Sequence, residues 1–466
     1  MATTIQFTQE QQAFINKALQ TIEMDANKRV NTPAREVLDR KNFVFDAHSH
    51  VFDGSCVDAD YMIIRLLNLS DKPLARKLIQ FIIRKLLPDQ VESLSLLKPK
   101  EILEAIYAKK TINENCFDEL DIKAFEKEIE DEAQKKLAVS IDWIGLLKRI
   151  KEVIAILQSG KMRFVYDYFT EHAIHNYCPN KELISIQLGM DLKSGWKGSL
   201  LKGFKEQSDE LLNLSTEVPI LPYFPIHPER AKETHNEDNE PYEFNELYDL
   251  FLHYFKAGSP TFFGIKCYPS LGYHPASKAL APIFEVCRLA QIPVLTHCGG
   301  EIISTFETEI KTDIFDTPLV INNGTRKGNA AQLNHPLNWE PVLKEFPELR
   351  LSLAHFGSNS AWLESETSLH PKVTTILKFM EKYPNVYSDF SFNLSDKKST
   401  KIFVHYLSSN DPKYRKIEER TMYGTDFWVV VPQSNLKKDQ KAFLNLTEGY
   451  QDKLLVENVL NYLGIS

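Results

Sequence analysis

The sequence predicts a TIM (β/α)8 barrel with a large helical insertion after the first strand and an N-terminal helix. Three observations predict it. Eight short, apolar, β-prone runs are spread along the 466 residues. Most intervals between them are long enough for a helix and a return connection, as parallel strands require. Histidines, an aspartate and a lysine fall at the C-terminal ends of the runs, where barrels carry their active-site groups.

The elements follow in order. Residues 8–40 are polar and read as one long helix, within an N-terminal extension spanning 1–42. The first strand run is FVFDAHSH at 43–50. A stretch rich in Leu, Ile, Lys and Glu follows, and 58–175 reads as a helical insertion, with helical spacing over Ile141–Leu157. Within it, 118–136 carries eight acids against four lysines, which reads as a solvated face. The later runs are LISIQLGM (183–190), VPILPYFPIH (218–227), TFFGIKCYP (261–269), IPVLTH (292–297), LRLSLAH (349–355), NVYSDFS (385–391) and RTMYGTD (420–426). The barrel domain therefore runs from 43 to 466. A doubly wound sheet would show a similar alternation, but no GxGxxG or GxxxxGK loop follows any run.

Composition narrows the function classes. At roughly 150 residues per domain the length suggests about three domains, although barrels often exceed 200 residues as one. Lys+Arg total 55 against 63 Asp+Glu, a net charge of −8. That balance argues against nucleic-acid and anionic-membrane binding, which usually need a basic excess. No apolar run approaches the roughly 18 residues of a membrane span. The N-terminus lacks the basic start and apolar core of a signal peptide. Six scattered Cys without a CxxC fit a reducing compartment, so a cytoplasmic location is expected.

The strand ends carry the chemistry. His48 and His50 close the first run, and residues i and i+2 of a strand face one side, about 7 Å apart. Two such imidazoles can lean onto one ion, although an accidental or hydrogen-bonded pair gives the same spacing. His297 ends the fifth run, His355 the sixth and Asp426 the eighth. Imidazoles and a carboxylate from different strands suit Zn²⁺ or a similar divalent ion. Asp426 has two available duties, ligand and proton acceptor. Lys266 has three readings: a carboxylated bridge between two ions, an ammonium contacting a substrate anion, or a side chain reaching solvent. Tyr268, His227 and Trp428 lie near strand ends as candidate substrate contacts. Asp46 shares a face with His48, and Asp389 ends the seventh run; both are placed to orient a ligand.

These blocks resemble the amidohydrolase superfamily, in its amidohydrolase-related branch of metal-dependent hydrolases and decarboxylases. The resemblance lies in DAHSHVFDG (46–54), GIKCYPSLGYHP (264–275), PVLTHCG (293–299), NHPLNWEPVLKEFPELRLSLAHFG (334–357), NVYSDFS (385–391), MYGTDF (422–427) and ENVLNYLG (457–464). It implies a TIM barrel with His48, His50, His297 and Asp426 as ligands of a catalytic zinc. His355 would assist the metal-activated water or bind a second ion. Two features depart from the pattern. About 130 residues separate His50 from the second strand, where the branch has a much shorter link. Lys266 leaves the count at one or two ions, Zn²⁺ with Mn²⁺ or another divalent metal as the alternative.

The expected activity is hydrolysis of a C–N or C–O bond in a small organic substrate by a metal-activated water. Asp426 and His355 are the catalytic candidates, with Lys266, Tyr268, His227 and Trp428 toward the substrate. The alternative is a zinc-dependent non-oxidative decarboxylase on the same site. A non-catalytic binding protein is a third reading, disfavoured by the complete ligand set. A small-molecule substrate is the expected partner, and a homodimer fits barrels of this kind.

Overall fold

The structure is a computed structural model that describes residues 5–52, 54–56, 160–196, 202–236, 239–300, 303–305, 307–427 and 435–465. Each of the eight sequence runs carries one strand, the second starting one residue before its run. They are β1 (Phe43–Ser49), β2 (Glu182–Leu188), β3 (Ile220–Ile226), β4 (Gly264–Cys267) and β5 (Val294–Thr296), then β8 (Leu351–Leu353), β9 (Val386–Asp389) and β10 (Thr421–Met422). All seven neighbouring pairs are parallel, in the order β1-β2-β3-β4-β5-β8-β9-β10. Backbone bonds close the ring between its ends. Ala47 N–H donates to Tyr423 O at 2.9 Å, and Thr425 and Asp426 N–H both donate to His48 O at 3.1 and 2.7 Å. The barrel is therefore a closed parallel cylinder with helices around it, a TIM barrel.

An antiparallel hairpin, β6 (Ile310–Ile314) and β7 (Thr317–Ile321), interrupts the connection between β5 and β8. The strand runs of the sequence do not include it. Most of its side chains are exposed or half-buried, so it has no continuous apolar signature.

The single helix expected over 8–40 is two helices, α1 (Gln9–Thr21) and α2 (Thr32–Arg40). A capping box between Thr8 and Gln11 starts α1. Pro33 stands in the first turn of α2, where its missing N–H costs nothing and where a continuous helix could not pass. Between them, the buried Arg29 guanidinium donates to the carbonyls of Glu23, Met24, Ala290 and Gln291. It ties the extension to the turn before β5. Ala26, Val30, Ala34 and Val37 then pack with Val459, Tyr462 and Leu463 against Phe45, Leu221, Phe263 and Leu295. The two chain termini thus seal the N-terminal mouth of the barrel and leave the opposite mouth for chemistry.

Residues 58–159 of the expected 58–175 insertion lie outside the described residues. Its last helix, α3 (Met162–His172), is described, and Phe169 of α3 packs on Phe427 with ring centres 5.0 Å apart. Phe427 directly follows Asp426, so α3 reaches the C-terminal mouth of the barrel. Among the described residues no helix is long and apolar enough to cross a membrane. The five described cysteines are all free thiols.

Candidate metal centre

His48 and His50 stand at the C-terminal end of β1 and are buried. The Nδ1 of His48 lies 3.1 Å from Asp389 Oδ2, and that of His50 lies 2.9 Å from Leu188 O. Both partners accept only, so in each ring Nδ1 carries the hydrogen and Nε2 presents its lone pair. The two Nε2 atoms face Asp426 Oδ1 at 3.7 and 3.5 Å. His48, His50 and Asp426 offer ligand atoms within 4.8 Å of one another. Three electron-pair donors thus meet with no hydrogen between them, an arrangement that calls for a cation.

The electrostatics agree with a ligand set. Burial, helped by the charge of Lys266, holds the His48 and His50 imidazoles well below their ordinary pKa, so both stay neutral. Burial pushes the Asp426 carboxyl up to about 7; Lys266 opposes the rise, and Asp389 and Asp46 add to it. The residues present therefore fit a divalent ion: two neutral imidazoles, a carboxylate and fixed tautomers.

Local backbone strain aims these groups. Asp426 has φ 55°, in the left-handed region that side chains rarely adopt. Its N–H bond to His48 O holds it there, so the carboxylate turns back over β1. His355 and Phe392 also have positive φ, 61° and 60°. Such strain clusters at functional sites because the surrounding structure must sustain it. Gly424 is required by close approach: a Cβ there would lie 2.7 Å from His48 Cβ.

Asp389, at the end of β9, joins two of the histidines. Its Oδ2 meets His48 Nδ1, while its Oδ1 accepts from His355 N–H at 3.0 Å and Ser391 N–H at 3.2 Å. The Ser391 hydroxyl donates to the same Oδ1 and lies 2.8 Å from His355 Nδ1. His355 Nε2 is 3.0 Å from His297 Nδ1. His297 Nε2 is 2.9 Å from Gly300 O, so His297 stands beside the three-residue set rather than in it.

Lys266 is buried on β4, and its Nζ has no hydrogen-bond partner among the described residues. Burial lowers its pKa to about 8, against the pull of Asp426 and Asp389. It does not reach solvent. Its Nζ lies 5.5 Å from the Tyr268 ring, which stacks on His297 with centres 4.2 Å apart.

His50, Met190, Tyr268, His297, His355, Phe392 and Asp426 are among the residues that line one cavity. Its free volume is about 30 Å³, room for one or two waters. One expected substrate contact, His227, is placed otherwise. His227 directly follows β3 but packs edge-on against Tyr273 and accepts from Glu229 N–H, so it caps a turn away from this cavity. Trp428 lies outside the described residues. Met190, Phe392 and Ser391 enter the site without having been singled out. Only their adjacence to strand ends marked them, a signal shared with many inert residues.

Residues 255–464 match the family model described as Amidohydrolase. No curated protein matches the chain. Among solved structures, an amidohydrolase from Burkholderia multivorans with bound zinc is similar at 10% identity and a TM-score of 0.39, over 64% of this chain and 88% of that one. A dihydroorotase from Campylobacter jejuni is similar at 15% identity and a TM-score of 0.32, over 65% and 80%. An "amidohydrorolase II" is similar at 10% identity and a TM-score of 0.37, over 65% and 88%. The matched stretch carries β4, β5, β8, β9 and β10, and with them Lys266, His297, His355, Asp389 and Asp426 at or near their C-terminal ends.

Proposed function

We propose that the protein is a metal-dependent hydrolase that cleaves a C–N or C–O bond of a small organic substrate. One observation carries this reading: the lone pairs of His48 and His50 Nε2 and the Asp426 carboxylate converge with no hydrogen between them. His48, His50 and Asp426 would hold the ion, zinc or manganese by donor type, with His297 beside them. When bound, such an ion supplies Lewis acidity and makes a water more acidic.

The chain's own groups do the rest. Asp426 is placed to accept the proton of an attacking water and return it to the departing nitrogen or oxygen. His355 faces the same cavity and is held by Asp389 and Ser391, ready to hydrogen-bond the reacting carbonyl oxygen or the water. Met190, Tyr268 and Phe392 shield the cavity from bulk water, which strengthens every electrostatic contact within it.

A second reading, non-oxidative decarboxylation, is favoured by Lys266, a buried cation without a hydrogen-bond partner among the described residues. It suits the binding of a substrate carboxylate, or carboxylation of its own Nζ to bridge a second ion. Zinc and manganese analysis of the purified protein is the first test, and one or two equivalents are expected. An empty site in the absence of chelators would sink the proposal. A panel following amide, ester and lactone cleavage against CO₂ release then separates the two chemistries.

A further inference from the structure

The cavity beside the metal centre has about 30 Å³ of free space, room for about one or two waters. A substrate with a scissile bond and a leaving group needs more, so a wall must yield when it binds. His50, His297 and His355 are held by hydrogen bonds, and the Tyr268 ring is stacked on His297. Met190, just past the end of β2, is a wall of another kind: its side chain is unbranched and turns about three bonds.

Behind Met190 lies a second cavity of about 20 Å³, and Met190 lines both. Val51, Phe52, Met162, Leu188, Phe204 and Leu211 also border this second space. Its polar neighbours Gln207 and Ser208 are turned to the backbone: Gln207 Nε2 donates to Lys202 O at 2.9 Å, and Ser208 Oγ to Phe204 O at 3.0 Å. A buried water needs about two to four polar partners, so this void favours a methyl group or a sulfur over water. The backbone on either side of Met190 is pinned. Gly189 N–H donates to Tyr223 O at 3.0 Å, and the Asp191 carboxylate is held by Arg230 at 2.5 and 2.8 Å. The movable part is therefore the Met190 side chain, and the void gives its end a place to go.

We propose that Met190 is a specificity-determining residue: its side chain swings into the void, and the space it leaves takes a short apolar arm of the substrate, beside the reacting group. The arm is about as long as the thioether end it replaces. This rests on the metal reading above and names a substrate class for it. Because α3 supplies Met162 to the void, the end of the long first connection helps to set what the site accepts.

The test uses the full, zinc-loaded chain and straight-chain hydroxamates, whose head group grips zinc while the alkyl arm varies. Calorimetry should show butanohydroxamate binding more tightly than acetohydroxamate, by about two- to fourfold per added methylene. Leu211 lines the void but not the cavity beside the metal centre, so Leu211→Phe fills the place into which Met190 swings. In that variant butanohydroxamate should lose most of its advantage. A crystal structure of the wild-type butanohydroxamate complex needs no variant. It should show Met190 turned toward Phe204 and Leu211, with the alkyl arm where the side chain had been. Equal affinities for the two hydroxamates, an undiminished gain in Leu211→Phe, or an unmoved Met190 in the complex overturns the proposal and leaves the metal reading intact. Zinc-loaded protein that binds neither hydroxamate does the same. A chain that takes up no zinc overturns both.

Discussion

Thr425 grips both oxygens of Asp46, with its N–H on Oδ1 at 3.0 Å and its hydroxyl on Oδ2 at 2.7 Å. Asp46 Oδ1 also accepts from His48 N–H at 3.1 Å. One buried carboxylate therefore ties the first strand to the segment after the last, directly beside His48 and Asp426, the proposed ligands. Asp46→Ala would leave three donors buried without their acceptor. Bonds to a carboxylate contribute about 1.5–3 kcal/mol each, so a loss of about 3 kcal/mol is expected once the site relaxes. Denaturant unfolding of the variant measures this, and a midpoint equal to wild type would refute it.

Removing one ligand should act on the ion before the fold. His50→Ala deletes a lone pair facing Asp426 but leaves the barrel strands paired. Metal content by elemental analysis should fall at least tenfold, with a far-ultraviolet circular dichroism spectrum like that of wild type. Retention of full metal occupancy would remove His50 from the ligand set.

Gly424→Ala tests close approach rather than chemistry. The added Cβ would meet His48 Cβ at 2.7 Å and His48 N at 3.0 Å. Neither atom is the flexible end of a side chain, so β1 or β10 must shift. Overpacking of this kind costs about 1–3 kcal/mol. The expected result is lower thermal stability together with weaker metal binding. Unchanged values for both would show that the strands yield freely.

Arg230 joins the loops after β2 and β3. Its guanidinium binds Asp191 at 2.5 and 2.8 Å and Glu246 at 2.9 Å, and it lies 3.6 Å over the Phe204 ring. Arg230→Ala leaves Asp191 buried and uncompensated, at an expected cost of about 3–5 kcal/mol. Burial pushes the Asp191 carboxyl up, but the charge and hydrogen bonds of Arg230 reverse this and leave it below its ordinary value. A depressed folded-state pKa means that this stabilisation is complete above the unfolded value, about 3.8, and is lost as pH falls through the lower folded value. Wild type should therefore lose part of its margin over Arg230→Ala below about pH 4. Urea titrations of the pair at pH 7 and pH 3.5 measure the difference, and a gap that widens on acidification would contradict the assignment.

Phe392 lines a cavity with room for only one or two waters. Phe392→Ala should admit bulkier substrates, seen as a lower KM for larger members of an ester or amide series. No change in size preference would place the substrate elsewhere.

Much of this was legible along the chain. All eight barrel strands coincide with apolar runs, β2 starting one residue early, because inward-facing and helix-covered residues must both be apolar. His48 and His50 were legible because period-2 alternation puts both on one face, and the strand-end rule marked His297, His355 and Asp426. Local pattern failed where burial was weak or the signal was not periodic. The hairpin 310–321 is largely exposed, and Pro33 divides a stretch whose polarity reads as one helix.

The barrel, its strand ends and the residue types gathered there follow from periodicity and residue chemistry, which are local properties. Which atoms meet is settled by contacts between distant segments. Asp389 and Ser391 set the faces of His48 and His355, Leu188 O sets that of His50, and His227 turns to cap a loop instead. Those choices are hydrogen-bond pairings between distant segments, and a pairing has no counterpart in the local pattern of either partner. The long first connection, expected as a helical insertion, ends in a helix packed beside Asp426, a placement fixed by the contact of Phe169 with Phe427.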